Sequence, residues 1–156
     1  MTIDEATANS LLAALESHAM ALGVFDAVNG HEPKAKPGQG LAASFWLQRI
    51  GPAIGFQSGL AATTALLVWQ SRLTINMMYE PQDAIDPKLM GAASSLYAEY
   101  AGAFTLGGLC RCVDLRGMAG VPLSCDAGYM TQDNTAFRAY TMTIPLIIDD
   151  AWAETA

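Results

Sequence analysis

The alternation of apolar and polar positions is longest between Ala62 and Tyr79, and it predicts one continuous strand there. Ala65, Leu67, Trp69, Leu73, Ile75 and Met77 fall on one face, interrupted only by Ser71. From Gln70 onward the other face carries Gln70, Arg72, Thr74 and Asn76. A period of two with one apolar face is the pattern of a strand half buried on a core. Such a run, at roughly 3.3 Å per residue, would span about 60 Å, several times the usual strand. Either a bulge breaks it, or part of it overhangs its own domain, and an overhanging strand needs a partner for its backbone.

The pattern elsewhere predicts two helices and several shorter strands. Thr2 and Glu5 stand in the order of a capping box, and Ile3, Ala8, Leu11, Leu12, Leu15, Ala19 and Leu22 follow at helical spacing up to Gly23. Val24–Val28 is a short apolar run, and Asn29–Gly40 has the glycines, prolines and sparse apolar content of a loop. Leu41–Gln48 alternates as a strand, and Arg49–Ala61 reads as the loop joining it to the long strand. That loop carries Ile50, Ile54, Phe56 and Leu60, so it either folds back on the core or meets a partner. Asp86 then reads as an N-cap with Pro87 at the first helical position, opening a helix on Leu89, Met90, Ala93, Leu96, Tyr97 and Tyr100 up to Gly102. Strands are predicted over Leu109–Leu115, Pro122–Thr131 and Ala136–Ile148, with turns at residues 116–120 and 132–134, before an acidic tail over residues 149–156. Helix, strands, helix, strands, with hairpin-length turns between neighbouring strands, gives an α+β domain: a mainly antiparallel sheet with two helices on one face and one over-long strand, in a single unit over residues 1–156.

Composition narrows the class. With 156 residues and 52% apolar content the chain can bury a sizeable core. A net charge of −7 with eight scattered basic residues argues against nucleic-acid binding as its main work, which needs clustered Lys and Arg. No run approaches the roughly 20 apolar residues of a membrane span, and the opening Thr-Ile-Asp-Glu lacks the basic start of a secretory signal. Three cysteines form no disulfide framework, which suits synthesis in a reducing cytoplasm.

Candidate chemistry is sparse. Cys110 and Cys112 point the same way on the predicted strand, with Cys125 on the next; a three-thiolate metal site lacks a fourth ligand, and three small packed residues is the plainer reading. His18 lies within the first helix and His31 in a loop, neither beside a nucleophile motif. Asp149, Asp150 and Glu154 could hold a divalent cation but read first as a solvated end. Leu106-Gly107-Gly108 precedes a strand rather than a helix, the wrong setting for a phosphate cradle. No catalytic residue, cofactor or metal is therefore expected.

A series of short motifs runs in order along nearly the whole chain: His31-Glu32-Pro33-Lys34, Pro37-Gly38-Gln39-Gly40-Leu41, Ser58–Thr63, Glu80–Pro87, Phe104–Gly108, Ala127-Gly128-Tyr129 and Pro145–Trp152. The series resembles the tail terminator proteins of long-tailed phages that infect actinobacteria, similar in role to the lambda tail terminator. The three cysteines lie outside the resembling pattern. The resemblance implies a structural virion protein, assembled in the host cytoplasm, that forms a homohexameric ring on the head-proximal end of the tail. There it would end growth of the tail tube protein and offer a surface to the head-tail connector or stopper protein.

A heterologous contact repeated about a rotation axis closes into such a ring. The expected subunit-interface strand is the long one, with Trp69, Arg72, Thr74 and Asn76. Lys34, Lys36, Ile54 and Phe56 are the expected tube or connector contacts. Negative charge would let DNA pass through the lumen without specific binding. Two other classes remain open: another neck or tube component of the same virion, and a cytosolic enzyme or small-ligand binder, which would need a pocket with convergent polar groups.

Overall fold

The computed structural model describes residues 3–35, 37–38, 40–54 and 62–155. In chain order the elements are α1 (Glu5–Ala21), β1 (Ala27–Asn29), β2 (Ala42–Pro52), β3 (Ala62–Asn76), a 3-10 turn (Gln82–Ala84), α2 (Ile85–Gly102), β4 (Cys112–Val113), β5 (Ser124–Gln132) and β6 (Thr135–Ala153). They build one sheet in the order β1-β2-β3-β6-β4, with β5 also pairing β6. Every pairing is antiparallel except β1 with β2. The fold is α+β, and both helices pack on the same face.

That face holds the main core. Leu11, Leu15 and Ala19 of α1 and Leu89, Ala93, Leu96 and Tyr100 of α2 meet Ala43, Phe45, Leu67, Trp69, Leu73, Ile75, Met142, Ile144, Leu146 and Ile148 of the sheet. Spacings of three and four on the helices and of two on the strands aim these side chains at one another. Tyr100 is fully buried and donates from its hydroxyl to the Leu15 carbonyl at 2.8 Å, which ties α2 to α1. Met90 and Tyr97, expected in this core, lie on the exposed flank of α2 instead.

A smaller core covers the other face, where Leu66, Val68 and Ile147 pack against Ala119 and Ala53. Ala119 is carried by the turn after β4, which Asp114 organises: its buried carboxylate accepts from the Met118 and Ala119 amides at 2.9 and 2.8 Å. Gly117 in this turn has φ +73, and a Cβ there would run into the Pro122 backbone.

The long strands differ from expectation in where they begin and end. β3 stops at Asn76, whose side-chain oxygen accepts from the Met78 amide at 2.8 Å, an Asx turn that leaves the extended conformation. It has β2 on one side and β6 on the other, so it is an interior strand. β2 extends past Gln48 to Pro52, through a bulge between Leu47 and Arg49. β6, not β3, is the longest, and Asp149 and Asp150 lie within it rather than in a tail. A second bulge falls there, with Asp150 at φ +52, before Thr63 pairs Trp152 and Ala62 pairs Ala153.

Proline placement fits the strand environment. Pro145 sits in β6 where its outer neighbour changes from β5 to β4, a break where no ladder donor is required. Asp133 and Asn134, both at positive φ, make the two-residue turn that joins β5 to β6.

Two helix starts also differ. α1 is capped by Asp4, whose carboxylate accepts from the Thr7 amide at 2.8 Å and lies below the usual Asp range for that reason; the expected cap Thr2 lies outside the described residues. α2 opens directly from the 3-10 turn, so Asp86 is inside the first turn, free to bond elsewhere.

Candidate functional site

The β2–β3 hairpin carries exposed apolar side chains, where the sequence left open a segment folded back on the core or one that meets a partner. Leu47, Ile50 and Ile54 are 42%, 51% and 73% exposed. Leu47 pairs with Trp69 and Ile50 with Leu67, both on the helix-covered face, so the two side chains project from that face beyond the shelter of the helices. The bulge keeps them there: were Gln48 paired in unbroken alternation with Val68, Ile50 would fall opposite Leu66 on the other face. Among the expected contact residues, Ile54 and Lys34 are exposed; Phe56 and Lys36 lie outside the described residues.

The loop that carries Lys34 is fastened at both ends. Asp26 accepts from the Leu41 amide at 2.9 Å, and its own amide donates to the Leu41 carbonyl at 2.7 Å. A Cβ on Gly40 would collide with the Asp26 carboxylate, which is why the chain closes here on a glycine. Further along, the Pro33 carbonyl accepts from Gln132 at the end of β5, so the loop lies across one end of the sheet.

The expected interface residues on β3 occupy the sheet's interior. Trp69, Thr74 and Asn76 are buried. Arg72 reaches over the helix-free face, with its guanidinium 5.2 Å from the centre of the Trp46 ring and 3.6 Å from the Met130 sulfur. Because both edges of β3 are already hydrogen-bonded, it has no backbone to offer another chain. Among the described residues the free edges belong to β1, to β2 beyond Ser44, to β4 and to β5. β1 pairs only Ala42–Ser44 of β2, and β5 is paired only along β6, among the described residues.

Sequence reasoning missed a polar cluster on the helix face between α2 and β5. Arg138 donates from Nε to Asp86 at 2.8 Å and from a terminal nitrogen to the Gly128 carbonyl at 2.9 Å, and its guanidinium lies 4.5 Å from the Tyr129 ring centre. The Tyr140 hydroxyl adds a 3.0 Å bond to the same Asp86 oxygen. The Arg138 hydrogen bond, with the Tyr140 bond behind it, holds the Asp86 carboxyl below its usual range. Burial, then the bond to Asp86, raises the Tyr140 hydroxyl. The alternation on β6 placed Arg138 on the apolar face, and that was the available signal: a long cation there needs a partner.

Other candidate groups are held in structural contacts. Cys110 is not in a strand and packs in the main core, whereas Cys112 packs in the smaller core on the opposite face, so the two do not point the same way. All three cysteines are free. Burial pushes the Cys110 thiol up to about 12 and the Cys125 thiol up to about 11, leaving both protonated at neutral pH. His18 bonds Glu99 at 2.8 Å, linking α1 to α2. Asp149 pairs with Arg111 at 3.1 Å, and Glu154 accepts from Thr63 at 2.6 Å, so these carboxylates fasten the far end of β6. Among the described residues no three His, Cys, Asp or Glu side chains converge as a metal site.

No family model matches the chain, and no curated protein does. Among the solved structures that match, one is similar over 92% of this chain and 96% of its own, with a TM-score of 0.50 and 14% sequence identity. At that identity the likeness shows a shared fold alone.

Proposed function

We propose that this protein is a structural component of a phage tail: a ring of identical copies, six by resemblance, seated on the head-proximal end of the tail tube. It ends tube growth there and offers its upper surface to the connector beneath the capsid. The observation that carries the reading is the exposed apolar end of the β2–β3 hairpin, Leu47, Ile50 and Ile54, on a chain whose ordered motifs resemble tail terminators. Clustered exposed apolar side chains mark association surfaces more than catalytic ones. The net charge of −7 suits a wall past which DNA slides without being gripped.

The experiment mixes purified protein with tail tubes whose upper ends are uncapped and views them by electron microscopy. One ring at one end of each tube, with no further tube added beyond it, is the expected result. Protein that polymerises into long tubes alone would identify a tube subunit instead, and indifference to the tubes would overturn the reading.

A further inference from the structure

We infer that two copies of this chain pair about a two-fold axis, with β5 of one running antiparallel to β5 of the other. The inference goes beyond the tail reading and does not rest on it. A two-fold contact does not propagate round a ring, so the pair is a form of the chain free in solution.

β5 is the one long edge that nothing blunts among the described residues. β1 and β4 offer three and two residues, and β2 beyond Ser44 carries a bulge, Arg49 and Pro52. β5 pairs with β6 over nine residues without a bulge, and holds no lysine, no proline and a single charge, Asp126. An edge without those protections accepts another strand. The two-residue turn at Asp133 and Asn134 makes Gln132 and Thr135 a hydrogen-bonded pair. Alternation along the ladder then turns the N–H and C=O of Cys125, Ala127, Tyr129 and Thr131 toward the open side.

Gly128 marks the axis. A Cβ there would meet nothing closer than the Ala139 carbonyl at 3.8 Å, so packing within the chain does not require a glycine. Glycine inside a strand is characteristic of places where another backbone approaches closely. With Gly128 opposite its counterpart, Ala127 meets Tyr129 and Cys125 meets Thr131 in hydrogen-bonded pairs. Each side chain keeps its face, and the helices of both copies lie on one side of the joined sheet.

Both faces are then complementary. On the helix-free face, Asp126 of one copy lies opposite Met130 of the other. The Arg72 guanidinium, 3.6 Å from the Met130 sulfur, makes no ion pair among the described residues, so each Arg72 gains a carboxylate across the axis. On the helix face, Tyr129 is 73% exposed, with Arg138 against one side of its ring. Across the axis it meets the exposed Ala127, which borders an apolar groove of about 320 Å³ between β5 and α2, lined also by Met90, Tyr97 and Cys125. Two tyrosines thus cover two grooves. At the ends, polar Ser124 meets polar Gln132.

Charge and cross-linking test the pairing and its register. Sedimentation velocity up to millimolar concentration compares the native chain with Asp126→Lys, and far-UV circular dichroism with thermal melts establishes that each is folded. The native chain is expected to form a dimer, and Asp126→Lys to weaken it by about tenfold or more. Under mild oxidation Gly128→Cys is expected to link two copies, because facing Cα atoms of a pair without hydrogen bonds lie about 4.5 Å apart, within the span of a disulfide. Ser124→Cys, far from the axis, should cross-link no more than the native chain with its own three free thiols. A native chain that stays monomeric, a dimer indifferent to Asp126→Lys, or Gly128→Cys that links no better than Ser124→Cys would each overturn the pairing. Capping is read on tubes and stands or falls separately.

Discussion

At the scale of single residues, two side chains fasten the helices and offer separate measurements. Tyr100 fills the space between α1, α2 and the sheet while its hydroxyl meets the Leu15 carbonyl. Tyr100→Phe keeps the ring and loses one hydrogen bond, for an expected cost of about 1 kcal/mol in urea unfolding. Tyr100→Ala opens a cavity and should cost about 3–5 kcal/mol. Asp86 gives a pH dependence instead. Its folded carboxyl titrates below the unfolded value of roughly 3.9, so the stabilisation is present above that value and is lost as pH falls through the folded one. Urea midpoints between pH 3 and pH 7 should therefore drop more steeply at the acid end for the native chain than for Asp86→Asn. Equal acid slopes would mean that the Arg138 contact does not persist in solution.

Elements show how far the alternation of the chain could be followed. Period and length identified both helices and the inward faces of β2, β3 and β6, because burial against one layer imposes those periods directly. What they could not give was which strand lies inside the sheet. Leu67, Trp69 and Leu73 would alternate identically on an edge or an interior strand, so β3 looked able to overhang although β2 and β6 occupy both its edges. The end of β6 was hidden for a related reason. Asp149 and Asp150 have the composition of a tail, and partners distant in sequence, among them Arg111 and Thr63, hold that segment in the sheet. One signal was legible: the step of three from Leu47 to Ile50 in an otherwise alternating run is what a bulge requires. The turn after β4 gives a prediction at this scale. Asp114→Ala removes the acceptor of two amides and lets Ala119 leave the smaller core, for an expected loss of about 2–4 kcal/mol. Faster proteolysis within residues 115–121 should accompany it; an unchanged cleavage pattern would mean that the turn holds itself.

For the whole molecule, stability and association should separate, because the residues that serve each are different. The folding core lies under the helices and is closed by Tyr100 and Phe45, whereas Ile54 at the hairpin end is largely exposed and belongs to neither core cluster. Replacing an exposed side chain away from packing and caps ordinarily changes stability by no more than about 0.5 kcal/mol. Ile54→Asp should thus leave the melting temperature within a degree or two of the native value. If the hairpin end is the surface that meets a tube or connector, the same substitution places a carboxylate against an apolar patch and should weaken capping of uncapped tubes by about tenfold or more. Counting rings per tube end over a range of protein concentrations measures that loss. A variant that melts early would place Ile54 in the fold's own packing, and one that both melts and caps as the native protein does would move the contact away from this hairpin. Separate control of folding and docking is what a ring protein requires, since each copy must fold before it meets its neighbours and must still expose apolar surface afterwards.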